Sequence, residues 1–172
     1  MGYPTRMVMY DFDWTLFRSP FPPSGQEKAW WDSSVSLCPP VVPMRPGKEW
    51  WIDGVVEEMK ADQVRRDSLV VIITGRCFKL TKRIAQIVRF GGLRPEYLLT
   101  HDPSIRGEKK VLNFKVNSVE ELLTANPTVT TLVVWEDLEP QLDALRKVAI
   151  KRGLAYEPNL VIELERQLGW TP

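Results

Sequence analysis

Residues 6–17 read RMVMYDFDWTLF, and the fold is decided there. Arg6 to Tyr10 is an apolar run of strand length that meets acid at Asp11. Such a run reads as a buried strand. The arrangement recurs twice. Leu69 to Ile73 is followed by Thr74-Gly75-Arg76, and Thr131 to Trp135 by Glu136-Asp137. Runs apolar on both faces suit strands of a parallel sheet. Helical periods lie between them. Residues 51–66 place apolar side chains at 51, 52, 55, 56 and 59. Residues 78–90 put Leu80, Ile84, Ile87 and Val88 on one face, and Gly91-Gly92 stops that helix. Tyr97 to Thr100 reads as a further strand. Ser118 with Glu121 has capping-box spacing and opens a helix to about Ala125. Leu138 to Arg152 is a helix closed by Gly153, Leu160 to Ile162 a last strand, and the remainder a short amphipathic tail. Strands alternating with helices imply an α/β fold with a mostly parallel sheet. Right-handed crossovers then bring the carboxyl ends of the strands to one edge, where ligands bind.

The chain has 172 residues, the length of one domain. An apolar fraction of 44% and a charged fraction of 26% are ordinary for a globular protein and exclude a disordered or collagen-like chain. No run of about 18 apolar residues exists to span a bilayer, and the run before Asp11 is far too short for a secretion signal. With free thiols at Cys38 and Cys77, the expectation is a cytoplasmic protein. Two cysteines cannot form a thiolate zinc site, and one histidine, His101, leaves no multi-histidine metal site. Chemistry must therefore come from carboxylates, lysines and hydroxyls; His101 is expected to be a polar residue with no role.

Asp11, Asp13, Glu136 and Asp137 would converge on the common edge beside Thr74. Clustered carboxylates without histidine or cysteine suit a hard cation such as Mg²⁺, which keeps several waters and shares a phosphate. Residues two apart face the same way in a strand. As the strand gives way to a loop, one aspartate can attack while the other delivers a proton.

Four elements occur in order: a strand followed by Asp11-Phe12-Asp13-Trp14-Thr15-Leu16-Phe17, a strand followed by Thr74-Gly75-Arg76, a lysine, and a strand followed by Glu136-Asp137. This pattern resembles the haloacid dehalogenase-like (HAD) superfamily of phosphotransferases. It is closest in style to the HAD group of the Swiss Army Knife RNA repair proteins. Prolines and Trp30 following Phe17, the pair Phe114-Lys115, and Glu136-Asp137 carry that closer likeness. The phosphatase half of polynucleotide kinase-phosphatases is a second relative in style. The chain departs from the group after Asp137, where Leu138 stands in place of arginine and no histidine follows.

The resemblance implies a HAD-like Rossmannoid three-layer sandwich, one domain over residues 1–172, and a Mg²⁺-dependent phosphatase. It makes Asp11 the nucleophile that becomes an aspartyl-phosphate, and Asp13 the acid and then the base. Thr74, Gly75 and Arg76 would hold phosphate oxygens, with Trp14 against the substrate. Lys115 would neutralise charge, with Lys109 and Lys110 as rivals for that place. Asp11, Asp13, Asp137 and Glu136 would hold the metal, Asp13 through its backbone carbonyl.

Residues 18–50 are rich in proline and tryptophan and fit a long loop or minimal cap; a full cap domain has no room. An open site implies a bulky substrate. From Arg76 to Lys115 ten Lys and Arg face three acids, a net of +7 against −6 elsewhere. That charge suits a polyanion, and Trp14, Trp30, Trp31, Trp50 and Trp51 are candidates to stack bases. The expected substrate is a terminal phosphate on a nucleic acid. A small metabolite, nucleotide or phosphoprotein is the alternative substrate, and a non-catalytic HAD-like subunit the alternative role.

Overall fold

In the computed structural model, which describes residues 3–104 and 109–163, side-chain alternation along three strands sets the layers. Strand β1 (Arg6–Tyr10) sends Val8 and Tyr10 to one face and Met7 and Met9 to the other. A one-turn helix α1 (Glu27–Trp30) and then α2 (Asp53–Val64) follow it. Strand β2 (Ser68–Cys77) divides its residues the same way, Val70 and Ile72 against Leu69, Val71 and Ile73. Next come α3 (Thr81–Phe90), β3 (Tyr97–His101), α4 (Lys110–Ala125), β4 (Thr131–Glu136), α5 (Glu139–Arg152) and β5 (Ala155–Leu160). The first face packs on α2 and α3 through Val55, Val56, Met59, Ile84 and Ile87. The second packs on α4 and α5 through Val119, Leu122, Leu145 and Val148. The result is a three-layer α/β sandwich.

All strands are parallel, in the order β3-β2-β1-β4-β5. β1 is therefore central, and its carboxyl end lies between those of β2 and β4. Where β2 pairs with β3 the register shifts: Thr74 faces Thr100, but Cys77 faces His101. Gly75 and Arg76 occupy the resulting bulge. Bulges of this kind re-aim side chains beside functional sites. Thr74-Gly75-Arg76 thus belongs to the bulged end of the strand rather than to a loop after it.

Two other elements differ from the sequence reading. α4 starts at Lys110, eight residues before Ser118, which is buried within the helix. The Ser118–Glu121 spacing mimics a cap, and a buried lysine at 115 breaks the apolar stripe that would have revealed the earlier turns. β5 runs over Ala155–Leu160 rather than 160–162 and contains Pro158. An edge strand pairs on one side only, so it tolerates the missing donor. The tail after Glu163 lies outside the described residues.

The stretch from Phe17 to Trp50 folds as turns and short helical segments, α1 among them, held by its own contacts and by α3. Trp30 donates its indole N–H to the Pro20 carbonyl at 2.8 Å, and Phe17 stacks on Trp50 at 5.5 Å. Arg83, buried on α3, donates to the carbonyls of Leu37, Pro43 and Met44 at 2.7–3.0 Å. No helix of the described residues is long and apolar enough to cross a membrane.

Candidate active site

Asp11 continues β1 past its last strand residue, its N–H bonded to the Trp135 carbonyl at 3.0 Å. The chain then turns sharply. Leu16 and Phe17 both donate to the Phe12 carbonyl, and Trp14 adopts a left-handed φ of 57°. This turn swings Asp13 across the sheet edge towards β2. A tryptophan at positive φ carries local backbone strain, a condition that concentrates at functional sites.

Lys115 reaches the same point from α4. Its Nζ donates to Asp11 Oδ1 at 2.7 Å and to Glu136 Oε2 at 2.7 Å. All three residues are almost completely buried. Burial pushes the carboxyls of Asp11 and Glu136 upward, against the pull of Lys115. Burial pulls the Lys115 ammonium down, but the two carboxylates outweigh it and hold its pKa above the ordinary lysine value. Glu136 also accepts the Asp137 N–H through Oε1 at 3.2 Å.

Asp13 forms a second ion pair. Arg76 meets it with Nε at 2.9 and 3.0 Å from the two oxygens and Nη2 at 2.7 Å. The other arm of the guanidinium donates to Ser36 Oγ at 2.6 Å and to the Trp31 carbonyl at 3.3 Å. Thr74, fully buried, donates to Asp13 Oδ2 at 3.4 Å and accepts the Arg76 N–H at 3.2 Å. Gly75 is required by proximity, since a Cβ there would lie 2.7 Å from a Val111 methyl on α4.

Asp11, Asp13, Trp14, Gly75, Arg76, Lys115 and Asp137 line one cavity of about 330 Å³. Thr74 and Glu136 lie behind that wall, bonded to its members. Of the three lysines considered for one place, Lys115 touches Asp11, Lys110 lines the cavity, and Lys109 is exposed. Asp32, Val111, Leu138 and Gln141 also line the cavity. Leu138 stood out only as a departure from the resembled group, and the other three carried no signal in the sequence, because the turns around 31–36 and the first turns of α4 and α5 place them there. A larger cleft of about 580 Å³ lies between α3 and β3. It is lined by Ala85, Val88, Arg89, Leu93, Arg94, Pro95 and Leu98 and offers no carboxylate.

One ligand oxygen each from Asp11, Glu136 and Asp137 lies within 4.8 Å of the others. All the donors of this cluster are hard carboxylate oxygens. This set fits a divalent cation of the Mg²⁺ type.

The basic stretch is less of a surface than its composition suggests. Arg76, Arg83 and Lys115 are buried and bonded internally. Arg106 lies outside the described residues. Lys79, Lys82, Arg89, Arg94 and Lys109 are exposed, and Lys110 is half-buried at the cavity.

Residues 21–164 match the family described as HAD domain family 1 in Swiss Army Knife RNA repair proteins. The chain belongs to that family. The matched span covers the Arg76, Lys115 and Glu136-Asp137 parts of this HAD domain and begins ten residues after Asp11. No curated protein matches it. Among solved structures it is similar to a chain of the "Structure of the Pnkp1/Rnl/Hen1 RNA repair complex". There the identity is 16% and the TM-score 0.59, over 94% of this chain and 44% of that one. It is likewise similar to a chain of the "Structure of Pnkp1/Rnl/Hen1 complex", at 17% identity and a TM-score of 0.59 over 93% and 48%. At such identities the likeness is one of fold. The HAD domain spans less than half the length of these solved chains.

Proposed function

We propose that this HAD domain is a Mg²⁺-dependent phosphomonoester hydrolase working through an aspartyl-phosphate, with a nucleic-acid terminal phosphate as substrate. The observation that carries this reading is the contact of Lys115 with both Asp11 and Glu136 at 2.7 Å, at the floor of a cavity that Asp137 also lines. An attacking carboxylate, a fixed cation and a metal-suited oxygen cluster thus meet at the carboxyl ends of β1 and β4. The family's RNA repair context supports the choice of substrate. We propose further that residues 1–172 act as one domain, with 18–50 as a minimal cover.

In this mechanism Asp11 attacks phosphorus through a carboxylate oxygen and the bond to the leaving oxygen breaks. Asp13 gives that oxygen its proton, then takes one from the water that cleaves the Asp11–phosphorus bond. Lys115 keeps Asp11 oriented and offsets the charge of the transferring group. The backbone of the β2 bulge at Gly75 and Arg76 holds the phosphoryl oxygens, while Thr74, expected in that role, is buried behind the wall and instead fixes Asp13 and the Arg76 N–H. Asp11, Asp137 and the Asp13 carbonyl would hold Mg²⁺; the Asp13 carboxylate is engaged by Arg76, and Glu136 is the fourth acid beside them. When bound, the ion would neutralise charge on the phosphoryl oxygens.

The test is phosphate release from an aryl phosphate, a mononucleotide and an end-phosphorylated RNA, with Mg²⁺ or EDTA, by wild type and Asp11→Asn. Turnover that needs Mg²⁺ and is lost in the variant is expected. Full activity of Asp11→Asn refutes the nucleophile, and equal rates on oligomer and mononucleotide refute the substrate. A second reading, a non-catalytic HAD subunit, is favoured by the hold of Arg76 on both Asp13 oxygens. Absence of turnover on every phosphate ester would support it.

A further inference from the structure

We infer that Trp31 is a specificity-determining residue that stacks on the nucleobase next to the phosphate, so that the site reads one terminal nucleoside. This rests on the phosphoryl-group reading of the cavity. Five tryptophans between residues 14 and 51 were candidates for stacking, and packing has used most of them. Trp30, Trp50 and Trp51 are buried away from the cavity, and Trp14 is buried against Phe21 at 4.9 Å. Trp14 and Trp31 both line the cavity, and of these Trp31 is the one that keeps exposed surface.

Its position is tied to the chemistry. The Arg76 guanidinium lies 4.6 Å from the indole centroid, bonds the Trp31 carbonyl, and grips Asp13 with its other nitrogens. One face of the indole is taken by that cation, and Trp31 remains partly exposed in the cavity wall. A single planar group therefore fixes the distance between the stacking surface and the reacting carboxylates. A cavity of about 330 Å³ admits a phosphate with one attached nucleoside, and the rest of a polymer must lie outside. Asp32, beside Trp31 in the wall, repels a phosphate but accepts from ribose hydroxyls or base amines.

The test compares an RNA tetranucleotide bearing a terminal phosphate, in 3′ and 5′ versions, with the same oligomer whose phosphorylated residue is abasic. Acetyl phosphate, which has no ring, reports on chemistry alone. For wild type, kcat/KM should favour the intact end about 5- to 150-fold, the worth of one stacked base. Trp31→Ala should bring that ratio to within about twofold, and Trp31→Phe should retain most of it. A variant that lowers all three substrates equally makes Trp31 only a support for Arg76 and overturns the inference while leaving the phosphatase reading intact. If wild type turns over nothing, the phosphatase reading fails, and the ratio of Kd values for intact and abasic ends, measured on Asp11→Asn, decides this point. A ratio near one, or tighter binding of a phosphotyrosyl peptide than of the oligonucleotide, overturns it.

Discussion

Gly75→Ala tests how tightly the bulge of β2 and helix α4 are fitted, and therefore what places Lys115. A Cβ at Gly75 would sit 2.7 Å from Val111 Cγ1, 3.4 Å from Cγ2 and 3.7 Å from Cβ. Carbon atoms rest at about 3.5–4.0 Å, so the helix must retreat by about 1 Å or the bulge must distort. Overpacking of this kind costs about 1–3 kcal/mol. Lys115 lies four residues beyond Val111 on the same helix face, so a retreat would draw its Nζ away from Asp11 and Glu136. Misplacement by about 1 Å costs on the order of 100-fold in turnover. Val111→Ala removes both γ methyls and leaves the nearest side-chain atom at 3.7 Å, an ordinary contact. Gly75→Ala should therefore lose stability in urea unfolding and most of its phosphate release, and Gly75→Ala with Val111→Ala should recover both. Effects of the two substitutions that simply add, within about 0.5 kcal/mol, would refute the steric argument.

Lys115→Met leaves Asp11 and Glu136 buried without their cation and should cost roughly 3–5 kcal/mol, with part recovered on adding Glu136→Gln; an unchanged urea midpoint would contradict this. Arg83→Ala strands the carbonyls of Leu37, Pro43 and Met44 and should cost at least about 2 kcal/mol while opening residues 37–44 to limited proteolysis. His101 is fully buried with neither ring nitrogen bonded among the described residues, and burial, with Lys110 adding, holds its pKa below the ordinary value. The unfolded chain takes up the proton first. The stability that His101 contributes should be complete above about pH 6.5, fall as pH drops towards the folded-state pKa, and then level off. His101→Phe should remove that contribution, so that the pH slopes of variant and wild type differ in unfolding experiments between pH 7 and 5; identical slopes would rule it out.

The sheet was legible because three strands are apolar on both faces and each ends at a chemically distinctive residue. Thr74, Asp11 and Glu136 could be assigned to one edge from topology alone. Other features were hidden for physical reasons. The early turns of α4 carry Lys115 inward, and a charge on a buried face looks like a break in the helix. The edge strand β5 needs neither an apolar face nor an unbroken row of donors, so AYEPNL gave no strand pattern. The role of Arg76 was equally illegible. A bulge directs it to Asp13, and register shifts leave little trace in residue types. The tryptophans of 14–51 looked interchangeable in the sequence, and packing separates them.

The central place of β1 carries a kinetic implication for the molecule. Backbone amides at the rim of a sheet exchange with solvent through local fraying, whereas those of an inner strand wait for larger openings. Asp11 and Glu136 hang from β1 and β4, each flanked on both sides, while β3 and β5 take the rim. Fraying of β3 and β5 can thus proceed while the strand ends that carry Asp11 and Glu136 stay paired.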